Sequence, residues 1–225
     1  MSIELSAKNE QVVSSPPTGW QVIWREFKKD KIAMFSLIAL IIVIIGVFIW
    51  AWFIDKEALM KISLRDKYGA PGDKFFLGAD QGGRDILGQL IIGARNSIAI
   101  AISITLITGI FGIFVGLICG YFGGWIDNMF MRIIDFFITI PSLMLIIVFI
   151  TVIPKYGVLE FVLIMSLFLW TGTARLVRSK ALSESRRDYV NASKTLGTND
   201  FVIIFKEIMP NLSSILIVEL TLNFA

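Results

Sequence analysis

Residues 189–212 read YVNASKTLGTNDFVIIFKEIMPNL. Two helix-forming runs flank one glycine, Gly197, and the stretch closes on Pro210. Glycine reaches positive φ with no Cβ clash, so Gly197 is expected to end the first helix. Thr198, Asn199 or Asp200 can cap the second. Leu196, Phe201 and Phe205 give the unit an apolar face, and Pro210 stands early in the helix that follows. The spacing predicts a compact amphipathic hairpin within a polar segment, residues 178–209. Such a hairpin is well placed to dock on a soluble partner.

Outward from this segment the chain is a series of apolar blocks. Of its 225 residues, 56% are hydrophobic and 17% charged, against about 25% charged in soluble domains. The blocks lack the polar face of a soluble helix, so they read as transmembrane helices. The expected spans are 33–54, 97–119, 133–153 (containing Pro141), 158–176 and 210–225. The first covers about 33 Å, enough for a bilayer core. The last holds only about 15 apolar residues where about 20 are needed, so the native chain is expected to continue past Ala225. Residues 1–19 read as a disordered tail with no signal-peptide pattern. Residues 20–32 read as an interfacial helix, with Trp20, Ile23, Trp24 and Phe27 at helical spacing beside Arg25, Lys28, Lys29 and Lys31, suited to membrane lipids. Residues 55–96 form an external loop. Transmembrane domain 33–225 is thus an all-α, polytopic helical bundle.

Orientation follows from basic residues at span ends. Arg25, Lys28, Lys29 and Lys31 precede the first span; Arg175, Arg178, Lys180, Arg186, Arg187, Lys194 and Lys206 follow or lie near the end of the fourth. Both sets are expected in the cytoplasm, with the amino terminus. The net charge of +3 is small and gives no reason to expect nucleic acid.

The chemistry of an enzyme is not legible here. The chain has no histidine and one cysteine, Cys119. It carries no G-x-x-x-x-G-K-[ST] loop, nucleophile elbow or metal-ligand cluster. No cofactor or metal is expected on it. Two intramembrane features are candidates instead. Gly109, Gly112, Gly116 and Gly120 lie in the second span, the last three four apart, which lets helix backbones approach closely. Asp135 and Glu219 are ionisable groups within or near the membrane. Asp135 is expected to pair with Arg132 at a span entrance. Glu219 has no evident partner in this sequence; it is a candidate for the pathway, or for a pair with a residue outside these 225.

The hairpin resembles the signature of permease subunits of binding-protein-dependent ABC importers: an E-A-A triplet, a glycine four residues on, and a proline thirteen beyond it. Asn191-Ala192-Ser193, Gly197 and Pro210 have this spacing, with Asn for Glu and Ser for Ala. Leu77-Gly78-Ala79-Asp80, Gly83-Arg84-Asp85, Gly120-Tyr121-Phe122-Gly123-Gly124-Trp125 and Ala174-Arg175-Leu176-Val177-Arg178 are similar to the dipeptide and oligopeptide permease branch. The amphipathic start resembles the second of its paired permeases. The resemblance implies a type I permease fold in the bacterial plasma membrane. It also implies a homologous permease partner, two ATP-binding subunits that hold ATP and Mg, an extracellular peptide-binding protein and a peptide substrate. Coupling to the ATPases would run through Asn191, Ala192, Ser193, Leu196, Gly197, Asp200, Phe201, Phe205 and Pro210. Alternatives are a nickel, glutathione or other small-solute permease of the same family, an ATP-independent secondary transporter or channel, and a membrane anchor for a signalling complex.

Overall fold

A computed structural model describes residues 20–152 and 157–224. The expected tail 1–19 and the terminal residues of two expected spans, 153 and 225, lie outside the described residues. Among the described residues the fold is helical, with one isolated bridge, between Ala79 and Asp85.

The chain begins with α1 (Trp20–Lys29) and α2 (Lys31–Phe53). The interfacial helix therefore stops short of 32. Asp30 ends it because its carboxylate accepts from the N–H groups of Ile32 and Ala33, at 2.9 and 3.1 Å, and so caps α2. On α2 only Ala51 is buried, and its Ile, Phe and Trp side chains face outward. In water this would be untenable; in a bilayer it is the expected surface of a spanning helix.

A short helix α3 (Lys56–Met60) leads into the expected external loop. This loop ends at residue 85 and not at 96. Asp85 caps α4 (Ile86–Phe122) through the N–H groups of Leu87 and Gly88. The second span, 97–119, is thus the later part of a 37-residue helix. Hydropathy locates an apolar block, whereas the helix begins at its cap.

The loop is held by Asp80. Its Oδ1 accepts from the backbone N–H groups of Gly82 and Arg84, and its Oδ2 from Arg84 Nε and Gln89 Nε2. Backbone bonds Ser63 N–H to Gly82 O and Tyr68 N–H to Asp80 O tie the rest of the loop to this turn.

The third block is not one straight helix. It comprises α5 (Gly124–Thr139) and α6 (Ser142–Val152), bent by 76°. Pro141 lacks an N–H, and it pushes the preceding Ile140 to φ −87°, ψ 123°, which is extended backbone. The fourth block, α7 (Val158–Glu184), runs eight residues beyond 176, so residues 178–184 continue this shaft. The hairpin follows as α8 (Asp188–Thr195) and a rod from Asp200 to Asn211, built of α9 (Asp200–Val202), a π-helical stretch (Ile203–Ile208) and α10 (Met209–Asn211). Pro210 sits inside this rod and does not open the last span. Its ring crowds the carbonyl four residues back, and the wider π turn before it makes room. The last span begins instead at α11 (Ser213–Phe224), bent 71° from the rod.

Three helices, α2, α4 and α7, are long and apolar enough to cross a membrane. Among the described residues the number rises to as many as five if each bent pair forms one span.

The core is the contact of α4 with α7. A Cβ on Gly116 would stand 2.7 Å from both the Ala174 carbonyl oxygen and Val177 Cβ. One on Gly120 would stand 2.6 Å from Ala181 Cβ and 2.7 Å from the Arg178 carbonyl oxygen, and one on Gly112 would stand 2.9 Å from the Trp170 carbonyl oxygen. Real Cβ atoms do not come so near backbone. The two helices touch along this stripe, and dispersion between close backbones replaces the missing hydrophobic drive.

Replacing Gly116 by Val should separate the two helices and cost about 1–3 kcal/mol or more. A fall in thermal stability and folded yield in detergent checks this; wild-type stability would refute it. In the loop, the Arg84 N–H foremost, with Gln89, the Gly82 N–H and the Arg84 charge, holds the Asp80 carboxyl down at about 2. A depressed folded value means that the contribution is complete above the ordinary carboxylate range near 4 and fades as pH falls through about 2. Protection of the Ser63 and Tyr68 amides, their exchange relative to the intrinsic rate at the same pH, should therefore stay high at pH 5 and fall toward pH 2, and D80N should lose it at both.

Candidate functional site

The hairpin is anchored on one side and bare on the other. Val190, Ile203, Ile204 and Ile208 are fully buried against Leu117 and Tyr121 of α4, Val177 and Ala181 of α7, and Leu216 of α11. Sequence reading missed these anchors, although Ile203, Ile204 and Ile208 do repeat at helical spacing. Three polar contacts reinforce them. Tyr121 donates to Asp200 at 2.5 Å, Ser193 to Glu207 at 2.9 Å, and Asn211 Nδ2 to the Tyr189 hydroxyl at 3.0 Å. Tyr189 in turn donates to Glu184 at the foot of α7. Burial first, and the Glu184 carboxylate with it, pushes the Tyr189 phenol up to about 12, so it remains a donor.

Gly197 has φ +78°, the left-handed region, and Asn199 caps the second helix through Phe201 N–H at 2.9 Å. Asn191, Ala192, Leu196, Asp200 and Phe201 are exposed, while Ser193 and Pro210 are half-buried. The three apolar residues do not form one face. Leu196 is 84% and Phe201 56% exposed, whereas Phe205 stacks on Phe114 of α4 with ring centroids 6.3 Å apart. Phe205 itself stays 38% exposed beside this contact. What remains bare is a small apolar tip around a glycine turn.

Two ion pairs join α5 to α7 just above this foot. Arg178 binds Asp127 through both nitrogens, with Nε to Oδ1 at 2.9 Å. Arg175 binds Asp135. The expected Arg132–Asp135 pair is therefore replaced: Asp135 turns to α7, forty residues on. A spacing rule within one helix could not have found either partner. The Asp127 side chain is only 10% exposed, and Arg178 is the charged partner that meets it there. The Arg175–Asp135 pair is about half exposed.

Of the glycines, Gly112, Gly116 and Gly120 meet α7, while Gly109 meets the Leu220 side chain of α11. Glu219 is half-buried in α11 and does have partners. Its Oε1 accepts from Thr173 Oγ1 at 3.3 Å and from Asn223 Nδ2 at 3.1 Å. Both are neutral, so no sequence search for a countercharge would reveal them.

Residues 112–225 match the family described as "Binding-protein-dependent transport system inner membrane component". The chain belongs to this family. It is a multi-pass inner-membrane transport subunit, and the family match decides against an ATP-independent carrier, which the α5–α7 ion pairs alone would also have suited. Residues 18–66 match the "N-terminal TM domain of oligopeptide transport permease C". The permease is 48% identical over 204 residues to the oligopeptide transport system permease protein OppC of Lactococcus lactis subsp. lactis (strain IL1403), covering 90% of this chain and 69% of that protein. It is 30% identical over 251 residues to the dipeptide transport system permease protein DppC of Lactococcus lactis subsp. cremoris (strain MG1363), covering 96% and 73%. It is 33% identical over 203 residues to DppC of Bacillus subtilis (strain 168), covering 90% and 63%.

Replacing Arg178 by Met should strand the Asp127 carboxylate and cost about 3 kcal/mol. Replacing Asp127 by Leu as well should restore most of it. Arg175→Met should cost under about 1 kcal/mol, since that pair is exposed. Thermal unfolding of the four proteins in detergent orders them, and equal losses for R178M and R175M would refute the assignment.

Proposed function

We propose that this permease imports peptides, and that its hairpin receives the work of ATP hydrolysis from separate ATPase subunits. The bare tip carries the coupling reading. Leu196 and Phe201 project beyond a turn that only a left-handed residue can make, while the same hairpin is locked to α4, α7 and α11. A surface that is apolar outside and rigidly anchored inside suits insertion into a cleft on a soluble subunit. The relatives support the substrate class, because those named above are oligopeptide and dipeptide permeases.

In this reading the amino terminus, α1 and the hairpin face the cytoplasm. A homologous permease completes the pathway, two ATPases bind ATP and Mg, and an extracellular binding protein delivers the peptide. Closure of the ATPase pair draws the hairpins together. Asn191, Ala192, Ser193, Leu196, Gly197, Asp200 and Phe201 form or shape the contact. Phe205 and Pro210 hold it in register, and Glu219 faces the pathway. Coupling of this kind needs an element with two arrangements biased from both ends. The α7 shaft and the anchored hairpin supply the mechanical continuity.

Gly197→Val forces a β-branched residue into φ +78°, and Ala192→Glu puts a charge on the exposed first helix of the hairpin. Each should leave the permease in the membrane yet lower peptide uptake in proteoliposomes at least about tenfold, with ATPase subunits lost or their activity uncoupled. Wild-type uptake with normal co-purification of the ATPases in both variants would overturn the coupling role.

A further inference from the structure

Three contacts fix the rotation of α11. Leu220 fills the space left by Gly109, the Asn223 carbonyl accepts from Thr105 Oγ1 at 3.4 Å, and Glu219 meets Thr173. Asn223 Nδ2 bridges Thr173 Oγ1 at 3.0 Å and Glu219 Oε1 at 3.1 Å. The three side chains form a closed triangle of hydrogen bonds between α7 and α11.

The triangle stands at the edge of a cleft. Asn223 and Thr171 line it together with Phe137, Phe168, Ile140 and Pro141, at the break between α5 and α6. Its volume is ≈ 460 Å³, within the range of sites that hold small organic groups. Phe137 and Phe168 meet edge to face, with centroids 5.5 Å apart.

A carboxylate held this way lacks one thing. Its partners among the described residues are neutral, both act on Oε1, and Oε2 receives no donor among the described residues. Thr173 and Asn223 orient the group, but neither neutralises it. An intramembrane carboxylate in such surroundings calls for a cation. Aromatic rings line the cleft that Asn223 borders, and a ring attracts an ammonium over its face. A metal ion would ask for several oxygen ligands, and no group of metal-binding side chains occurs among the described residues.

Taking up the peptide-import reading, we infer that Glu219 receives the ammonium group at the amino terminus of the passing peptide. Thr173 and Asn223 are positioning residues for it. The ammonium donates to Oε2, and the cleft takes the first side chain against Phe137 and Phe168. Glu219 thereby makes passage depend on the charged amino terminus, separately from whatever the binding protein selects.

The test uses the complete transporter with its binding protein in proteoliposomes. Wild type, E219Q and E219D are compared with one peptide and with its desamino counterpart, in which hydrogen replaces the ammonium. Each peptide's affinity for the binding protein is measured separately. Gln keeps the Oε1 acceptor and the shape, so a purely structural role would survive in E219Q. For the free peptide, E219Q should lower maximal uptake about tenfold, the loss of one charge-assisted hydrogen bond. E219D should keep a third or more, half-saturation by loaded binding protein should not move, and the melting temperature of E219Q should match wild type. Where the binding protein delivers the desamino peptide, E219Q and wild type should carry it at one rate. Wild-type uptake by E219Q, or a matching fall for both peptides, overturns the assignment and leaves peptide import standing. Absence of uptake of either peptide by wild type overturns peptide import itself, and this inference with it.

Discussion

The close approach of α4 and α7 is the constraint on which the rest of the structure depends. Gly112, Gly116 and Gly120 bring one helix against the backbone of the other, and this decides where everything attached to them lies. The lower end of α4 presents Leu117 and Tyr121 to the hairpin, and the lower end of α7 presents Val177 and Ala181. Without contact along the glycine stripe these four residues would not form one floor. The hairpin would then have nothing to bury Val190, Ile203, Ile204 and Ile208 against. Lipid offers no hydrophobic drive to gather helices, so close packing at a few small residues carries that task.

A second theme is the handling of polar groups where water is scarce. Asp127 is answered by a charged partner, Arg178, with two hydrogen bonds in fixed geometry. Glu219 is answered only by neutral donors. The two carboxylates thus do different things on the same bundle. One fastens α5 to α7 at the foot of the molecule, where rigidity serves transmission. The other stays partly uncompensated beside a cleft, where an arriving cation can complete it.

Much of this was legible in the sequence, and the exceptions have physical causes. The apolar blocks, the glycine stripe, the left-handed turn at Gly197 and the Asn199 cap are local, and local rules find them. Helix ends were misplaced wherever hydropathy stood in for capping. Asp85 starts α4 well before its apolar stretch, and α7 carries on past 176 because helical hydrogen bonding does not stop at the membrane surface. Partners distant in sequence were out of reach. Asp135 chose Arg175 over the near Arg132, and Glu219 chose Thr173. Phe205 is exposed like Leu196 and Phe201, yet its ring also stacks on Phe114, a contact that distance in sequence conceals. The π turn at Ile203–Ile208 leaves no mark in composition at all.

The unbroken course of α7 has a mechanical consequence. Its 27 residues make a shaft of about 40 Å with no proline to absorb bending. A tilt of about 10° about its outer end would carry the foot sideways by about 7 Å, more than one helical pitch. Because Arg175 and Arg178 bolt α5 to this shaft, the hinge at Ile140–Pro141 must take up the sweep that α5 follows. The foot thus sweeps farther than any point nearer the pivot, and the difference along the shaft is felt at the break between α5 and α6, beside the cleft.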